Sequence, residues 1–245
     1  MKIFNKKSFF IFLFLISLNY LFSESFTYKN RFYFYFDNIS QKNLDLLIDS
    51  LDQVESFFID KFNYIPKEKL DIKIFNYVWQ MEKNLGIKYW IGGYYFDYSF
   101  FIQPIDSLVK KSVLKKVIFV EYSHYFIDSY TKNNCPLWLN EMLSSYFYYL
   151  FYNKQVNLSY QIKNLQNFND FINLQSNIYD KEKMEDFNNI SIKFSIFLSK
   201  KFNDVYLSNI LENLRNNVRF EEIIQNKLKK DIKEIYEKDF KNNSN

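Results

Sequence analysis

The spacing of apolar residues along this chain changes once, near residue 108, and that change limits the fold more than any single motif does. Before it, short aromatic or alternating runs lie between turn residues. After it, apolar residues recur at the helical spacing. Arg31 to Phe36 is aromatic and β-favouring and stops at Asp37-Asn38, so it reads as a strand. Ser40 is placed to cap a helix in which Leu44, Leu47, Ile48, Leu51, Val54, Phe58 and Phe62 share one face. Leu70 to Phe75 alternates and reads as a second strand. A short helix from Val78 to Leu85 is closed by Gly86, and Gly92-Gly93 opens a third extended segment, Tyr94 to Ile105. Beyond it, Val113 to Tyr130 and Leu137 to Tyr152 are helical, joined by a turn through Pro136. Further helical patterns run from Phe187 to Phe202, Val205 to Leu214 and Phe220 to Phe240. Strands early and helices late predict an α+β fold: a small N-terminal sheet packed on helices, then an all-helical C-terminal half.

Composition sharpens this reading by exclusion. With 245 residues, 29 Phe and 21 Tyr, the chain has enough apolar side chain to bury a core, which disordered chains lack. Its 3 Gly and 3 Pro leave no Gly-rich phosphate loop and no flexible linker, and they disfavour a many-turned β-sandwich. One Cys excludes an internal disulfide framework and any Cys-based zinc cluster. One His excludes every site that takes two imidazoles from one chain.

The N-terminus reads as a signal peptide over residues 1–23. Lys2, Lys6 and Lys7 precede the apolar run Phe9 to Phe22, which is short of the roughly 20 residues a spanning helix needs. Ser23 and Ser25 offer a cleavage site; the rival reading is an uncleaved membrane anchor. Export to the periplasm or the extracellular space follows, with membrane association only if the segment stays attached. Loss of Lys2, Lys6 and Lys7, with no acid, lowers the formal charge from +4 to +1. The basic balance therefore reflects targeting. Lys227, Lys229 and Lys230 lie among acids on one helix and read as a solvated face, so no nucleic-acid partner is expected. Residues 24–245 read as a single domain, with a strand-rich part (24–107), two motif helices (108–152) and a helical tail (153–245).

The chemistry concentrates in Val117-Ile-Phe-Val-Glu121-Tyr-Ser-His124-Tyr-Phe-Ile and Pro136-Leu-Trp-Leu-Asn-Glu141-Met-Leu-Ser-Ser-Tyr146. Glu121 and His124 are three apart on a predicted helix and share a face. The hairpin through Pro136 brings a second helix alongside, where Glu141 stands in an otherwise apolar run. A carboxylate there requires a cation, a metal or a hydrogen-bond donor.

These two stretches resemble the peptidase-MA-like group of the gluzincin metallopeptidases. Val-Glu-Tyr-Ser-His stands where the family carries H-E-x-x-H, and Pro-Leu-Trp-Leu-Asn-Glu-Met-Leu-Ser-Ser-Tyr stands where it carries a P-x-W-(L/F)-x-E-G-L-A-x-Y pattern. The order of the flanking segments is similar over nearly all of residues 26–240. The resemblance implies a zinc-binding cleft, with Glu121 at the general-base position, His124 and Glu141 at ligand positions, and a peptide lying along the edge segment Tyr94 to Ile105. The remaining ligand position holds Val120, which has no donor atom, and no other His can replace it. Catalytic zinc takes three protein ligands and a water, so the expectation is no zinc or weakly bound zinc and an idle Glu121.

Four readings compete. The first, and the one favoured, is a pseudopeptidase whose cleft binds a peptide or protein. The second is an active zinc peptidase using Glu121, His124 and Glu141 as an atypical ligand set. The third is a metal-binding protein without hydrolysis, and the fourth a buried His124–Glu141 pair with no family meaning. Tyr122, Tyr125 and Tyr146 are expected in the core with their hydroxyls satisfied. Asp128 is expected at the surface rather than orienting His124, and Cys135 as an ordinary free thiol.

Overall fold

The structure, a computed structural model, describes residues 22–152, 167–175, 180–202 and 205–241. Most of the expected signal segment and residues 242–245 lie outside these. The chain is mixed α+β, a small N-terminal sheet followed by helices, as its periodicity predicts. It divides into two compact units. One comprises the described residues up to Asp49 together with Lys67–Lys115; the other comprises Ser50–Pro66 and the described residues from Lys116 onward.

The first unit is built on β1 (Glu24–Tyr28), β2 (Phe32–Phe36), β3 (Leu70–Ile74), β4 (Gly93–Phe96) and β5 (Ser99–Ile102), in the order β1-β2-β3-β5-β4. β2, β3 and β5 are parallel, and an antiparallel strand closes each side. Period-two alternation puts Phe32, Phe34 and Phe36 in the core while Tyr33 and Tyr35 stay half-buried. Helix α1 (Gln41–Phe62) links β2 to β3, as parallel neighbours require. Its start is held to α3 (Ile105–Lys110) by Asn43, which donates to Asp106 at 2.6 Å. Between them, α2 (Val78–Leu85) ends on Gly86 at φ 71°, whose N–H reaches the Glu82 carbonyl. That left-handed closure is the one the sequence predicts.

The sheet corrects two expectations. The third extended segment is not one strand but a hairpin, β4 and β5, turned by Asp97 and Tyr98 at φ 44° and 57°. A two-residue loop of this hand favours Asn-Gly or Asp-Gly, and Tyr at its second position concealed it. Consequently, of that segment only β4 lies at a sheet edge; β5 is interior. β1 was not foreseen, because it falls beside the expected cleavage site.

The second unit packs the later part of α1 against α4 (Leu114–Thr131) and α5 (Leu137–Tyr152) through a cluster of aromatic rings. Phe58 lies 4.3 Å from Phe126, 5.7 Å from Tyr122 and 5.1 Å from Phe147, centroid to centroid. The helices α6 (Phe168–Gln175), α7 (Lys181–Phe202), α8 (Tyr206–Arg215) and α9 (Phe220–Leu228) follow. No strand occurs after residue 150 among the described residues. The expected helix from Phe220 to Phe240 is interrupted. Lys229 turns left-handed at φ 57°, and the Asp231 carboxylate then caps α10 (Ile232–Glu234) by accepting from Lys233 N–H; a π-helical turn Ile235–Phe240 continues from it. Helix α6 carried no clear sequence signal, and α7 begins six residues earlier than the apolar pattern, in a run of exposed acids and lysines.

Candidate functional site

Two helices of the second unit carry the predicted site residues, and local chemistry fixes both ends of the turn between them. Helix α4 contains neither Gly nor Pro and ends where Lys132 and Asn133 adopt φ 55° and 60°, with Asn133 N–H bonded to the Asp128 carbonyl at 2.8 Å. Pro136 then starts α5: its carbonyl accepts from Leu139 and Asn140 at 2.9 Å each, and its missing N–H costs nothing at a helix start.

The hairpin brings His124 and Glu141 together, with His124 Nε2 3.6 Å from Glu141 Oε2. His124 is 7% exposed, whereas the Glu141 side chain keeps 31% of its surface in solvent. The other ring nitrogen, Nδ1, lies 2.8 Å from Asn140 Oδ1, and Asn140 Nδ2 donates to Asp128 Oδ1 at 2.8 Å. Asp128, Asn140, His124 and Glu141 thus form one continuous polar chain between the helices. Ser144 sits beside it, its hydroxyl 3.5 Å from His124 Nε2 while donating to the Glu141 carbonyl at 3.0 Å. Glu121, one turn before His124, is buried. Val120, four residues before His124 on the same helical face, is half-buried.

The electrostatics favour a charged ring. Burial works against protonation of His124, but Glu141, Glu121, the Asn140 bond and Asp128 outweigh it and hold the imidazole above its ordinary value. In the protonated form both nitrogens carry hydrogen, so Nδ1–H donates to Asn140 and Nε2–H faces Glu141. His124 and Glu141 are close enough to share an ion, and Val120, one turn before His124, carries no donor atom. No group of three His, Cys, Asp or Glu side chains able to hold a metal is found among the described residues. On this face the geometry brings two donor side chains, His124 and Glu141, within reach of each other.

Of the aromatic residues in the motif, Tyr122 and Tyr125 are fully buried and Tyr146 nearly so. The Tyr122 hydroxyl donates to Glu55 at 3.3 Å, an acid 4% exposed on α1. Trp138 packs edge-on against Phe168 at 5.5 Å and Phe220 at 5.4 Å, so it anchors α5 to later helices. Cys135 is a half-buried free thiol whose pKa burial and Asp128 push well up.

Asp128 departs from expectation: it is not a surface carboxylate but the far end of the chain that orients His124. Asn140 and Glu55 were missed altogether. Both left a signal. Asn140 is a polar interruption among Leu137, Trp138, Leu139, Met142 and Leu143. Glu55 falls four residues after Leu51 and three before Phe58, on the buried face of α1. In comparisons with known proteins the chain matches no family model, and no curated protein is similar to it.

Proposed function

We propose that the α4–α5 hairpin is a gluzincin-like motif that has lost hydrolysis, in an exported protein that binds an extended peptide or a protein partner. One observation carries this reading. The single imidazole is held between Asn140 at 2.8 Å and Glu141 at 3.6 Å, and Val120 stands one turn earlier where a second imidazole would be needed. Glu121 is then a general base with no activated water to deprotonate, since a metal is what lowers the pKa of water toward about 7. Peptide binding does not need that chemistry. β4, the terminal strand of the sheet, offers an extended segment for strand addition, a mode that draws its affinity from the main chain.

The 3.6 Å spacing of His124 and Glu141 also keeps one second reading in view: a zinc peptidase that recruits Glu121 as an atypical ligand. Calorimetric zinc titration at neutral pH separates the two, with wild type beside Val120→His and both incubated with unfolded casein. The proposal expects no zinc uptake or weak uptake by wild type and no cleavage. Val120→His should gain zinc affinity by more than about tenfold, because losing even an indirect partner of a metal ligand costs about 10–100-fold. Stoichiometric tight zinc in wild type, with chelator-sensitive cleavage abolished by Glu121→Gln, overturns the proposal in favour of the second reading.

A further inference from the structure

The first unit carries an aromatic surface that the α4–α5 hairpin does not use. Tyr77 and Trp79, at the start of α2, are 59% and 56% exposed. Large aromatic side chains usually bury most of their area, and two adjacent rings left in solvent mark an interaction surface. Their planes lie within 14° of parallel, with centroids 6.0 Å apart. Lys83, one turn on, places its ammonium 5.6 Å from the Trp79 ring centroid.

The backbone beneath these rings is fixed. Gln80 Oε1 accepts from both Asn76 N–H and Tyr77 N–H at 3.0 Å, and Gln80 N–H returns to the Tyr77 carbonyl at 3.0 Å. Asn76 Nδ2 donates to Asp37 Oδ2 at 2.9 Å, tying the helix start to the end of β2. Two exposed rings are thus presented on a braced turn, flanked by an amide, a carboxylate and an ammonium.

We propose that Tyr77 and Trp79 form a stacking platform for a β-linked glycan, with Asp37, Asn76 and Lys83 bonding its hydroxyl groups. A pyranose ring with equatorial substituents shows an apolar face of axial C–H groups and a rim of hydroxyls. An aromatic plane beside side chains that both donate and accept matches that division. A bilayer matches it less well. The Asp37 carboxylate accepts from Asn76 beside the rings, and anionic headgroups would repel its charge. The proposal uses none of the residues of the His124 hairpin, so the two stand or fall separately.

The probes are the hexamer of β-1,4-linked N-acetylglucosamine and the hexamer of β-1,4-linked glucose, followed by tryptophan fluorescence and calorimetry on the whole chain. Wild type should bind at least one of them in the micromolar to millimolar range. Trp79→Ala and Tyr77→Ala should each weaken binding by about tenfold, near the upper end of what one aromatic contact supplies. Trp79→Phe should retain most of the affinity, and thermal melting should stay unchanged because the rings are exposed. Three outcomes overturn the proposal: no binding of either hexamer, binding that survives both alanine substitutions, or binding to phosphatidylglycerol vesicles that the same substitutions abolish. The last would make the surface a membrane anchor.

Discussion

Replacing Glu141 with Gln removes the charge nearest His124 while keeping the shape, and it isolates the interaction on which the site's protonation state depends. The two groups stand 3.6 Å apart. Unit charges near that distance interact by about 1 kcal/mol in water and about 4 kcal/mol at the effective dielectric of a protein surface. His124 is buried but the Glu141 side chain is 31% exposed, so a value between these limits applies, about 1.5–3 kcal/mol. Because Glu141 is the charge that does most to raise the His124 pKa, Glu141→Gln should lower it. His124 is the only histidine in the chain, so its ring protons give a single pair of NMR signals and the titration has no ambiguity of assignment. The stability consequence has a definite sign. The folded-state pKa is raised above the unfolded value, so the contribution is fully present below about 6.5 and disappears as pH rises through the folded pKa. Urea midpoints of wild type and Glu141→Gln should therefore differ most at acid pH and converge in alkali. A His124 titration midpoint that does not move on substitution, or a gap in stability that widens toward alkali, would refute the electrostatic account.

Asn140→Leu removes the acceptor for His124 Nδ1–H and the donor to Asp128, and should cost about 2–4 kcal/mol in urea unfolding followed through Trp138 on the same helix, more at acid than at alkaline pH. Phe58→Ala empties the centre of the ring cluster formed with Phe126, Phe147 and Tyr122, and should cost about 3–5 kcal/mol in the same assay. Gly86→Ala meets no atom within 4 Å, so its cost is conformational alone, about 1–2 kcal/mol at φ 71°, read as a lower melting temperature. A neutral Gly86→Ala would mean that the α2 terminus relaxes freely.

The fold was legible where a regular element buries one face. The alternation in Phe32 to Phe36 and the spacing of Leu47, Leu51, Val54 and Phe58 state which side of each element meets the core, and those residues are buried. What failed was punctuation. Among the described residues, eleven other than glycine adopt positive φ, and with so little Gly some of these turns fall on residues such as Tyr98 and Lys229 that carry no turn signal. Hence β4 and β5 read as one strand, and the end of α9 went unseen. The capping Asp231 was in plain sight, but a cap is recognisable only once the break before it is known.

The site followed the same division between what periodicity encodes and what packing decides. Spacing of three and four along α4 places Glu121, Val120 and His124 on one face, and a tight hairpin returns Glu141 to it. These are properties of helix geometry. Asn140 is different, because its role depends on which way α5 is rolled against α4. With Trp138 committed to Phe168 and Phe220 on one side of α5, Asn140 is turned inward between His124 and Asp128. The aromatic packing of later helices thus sets the orientation of the imidazole, although none of those rings bonds to it. From this dependence comes the reason that Val120→His alone is expected to restore zinc affinity more readily than hydrolysis. A second imidazole supplies a ligand, but hydrolysis also needs the two rings, Glu121 and a substrate held in one geometry, and that geometry depends on how the later helices roll α5 against α4.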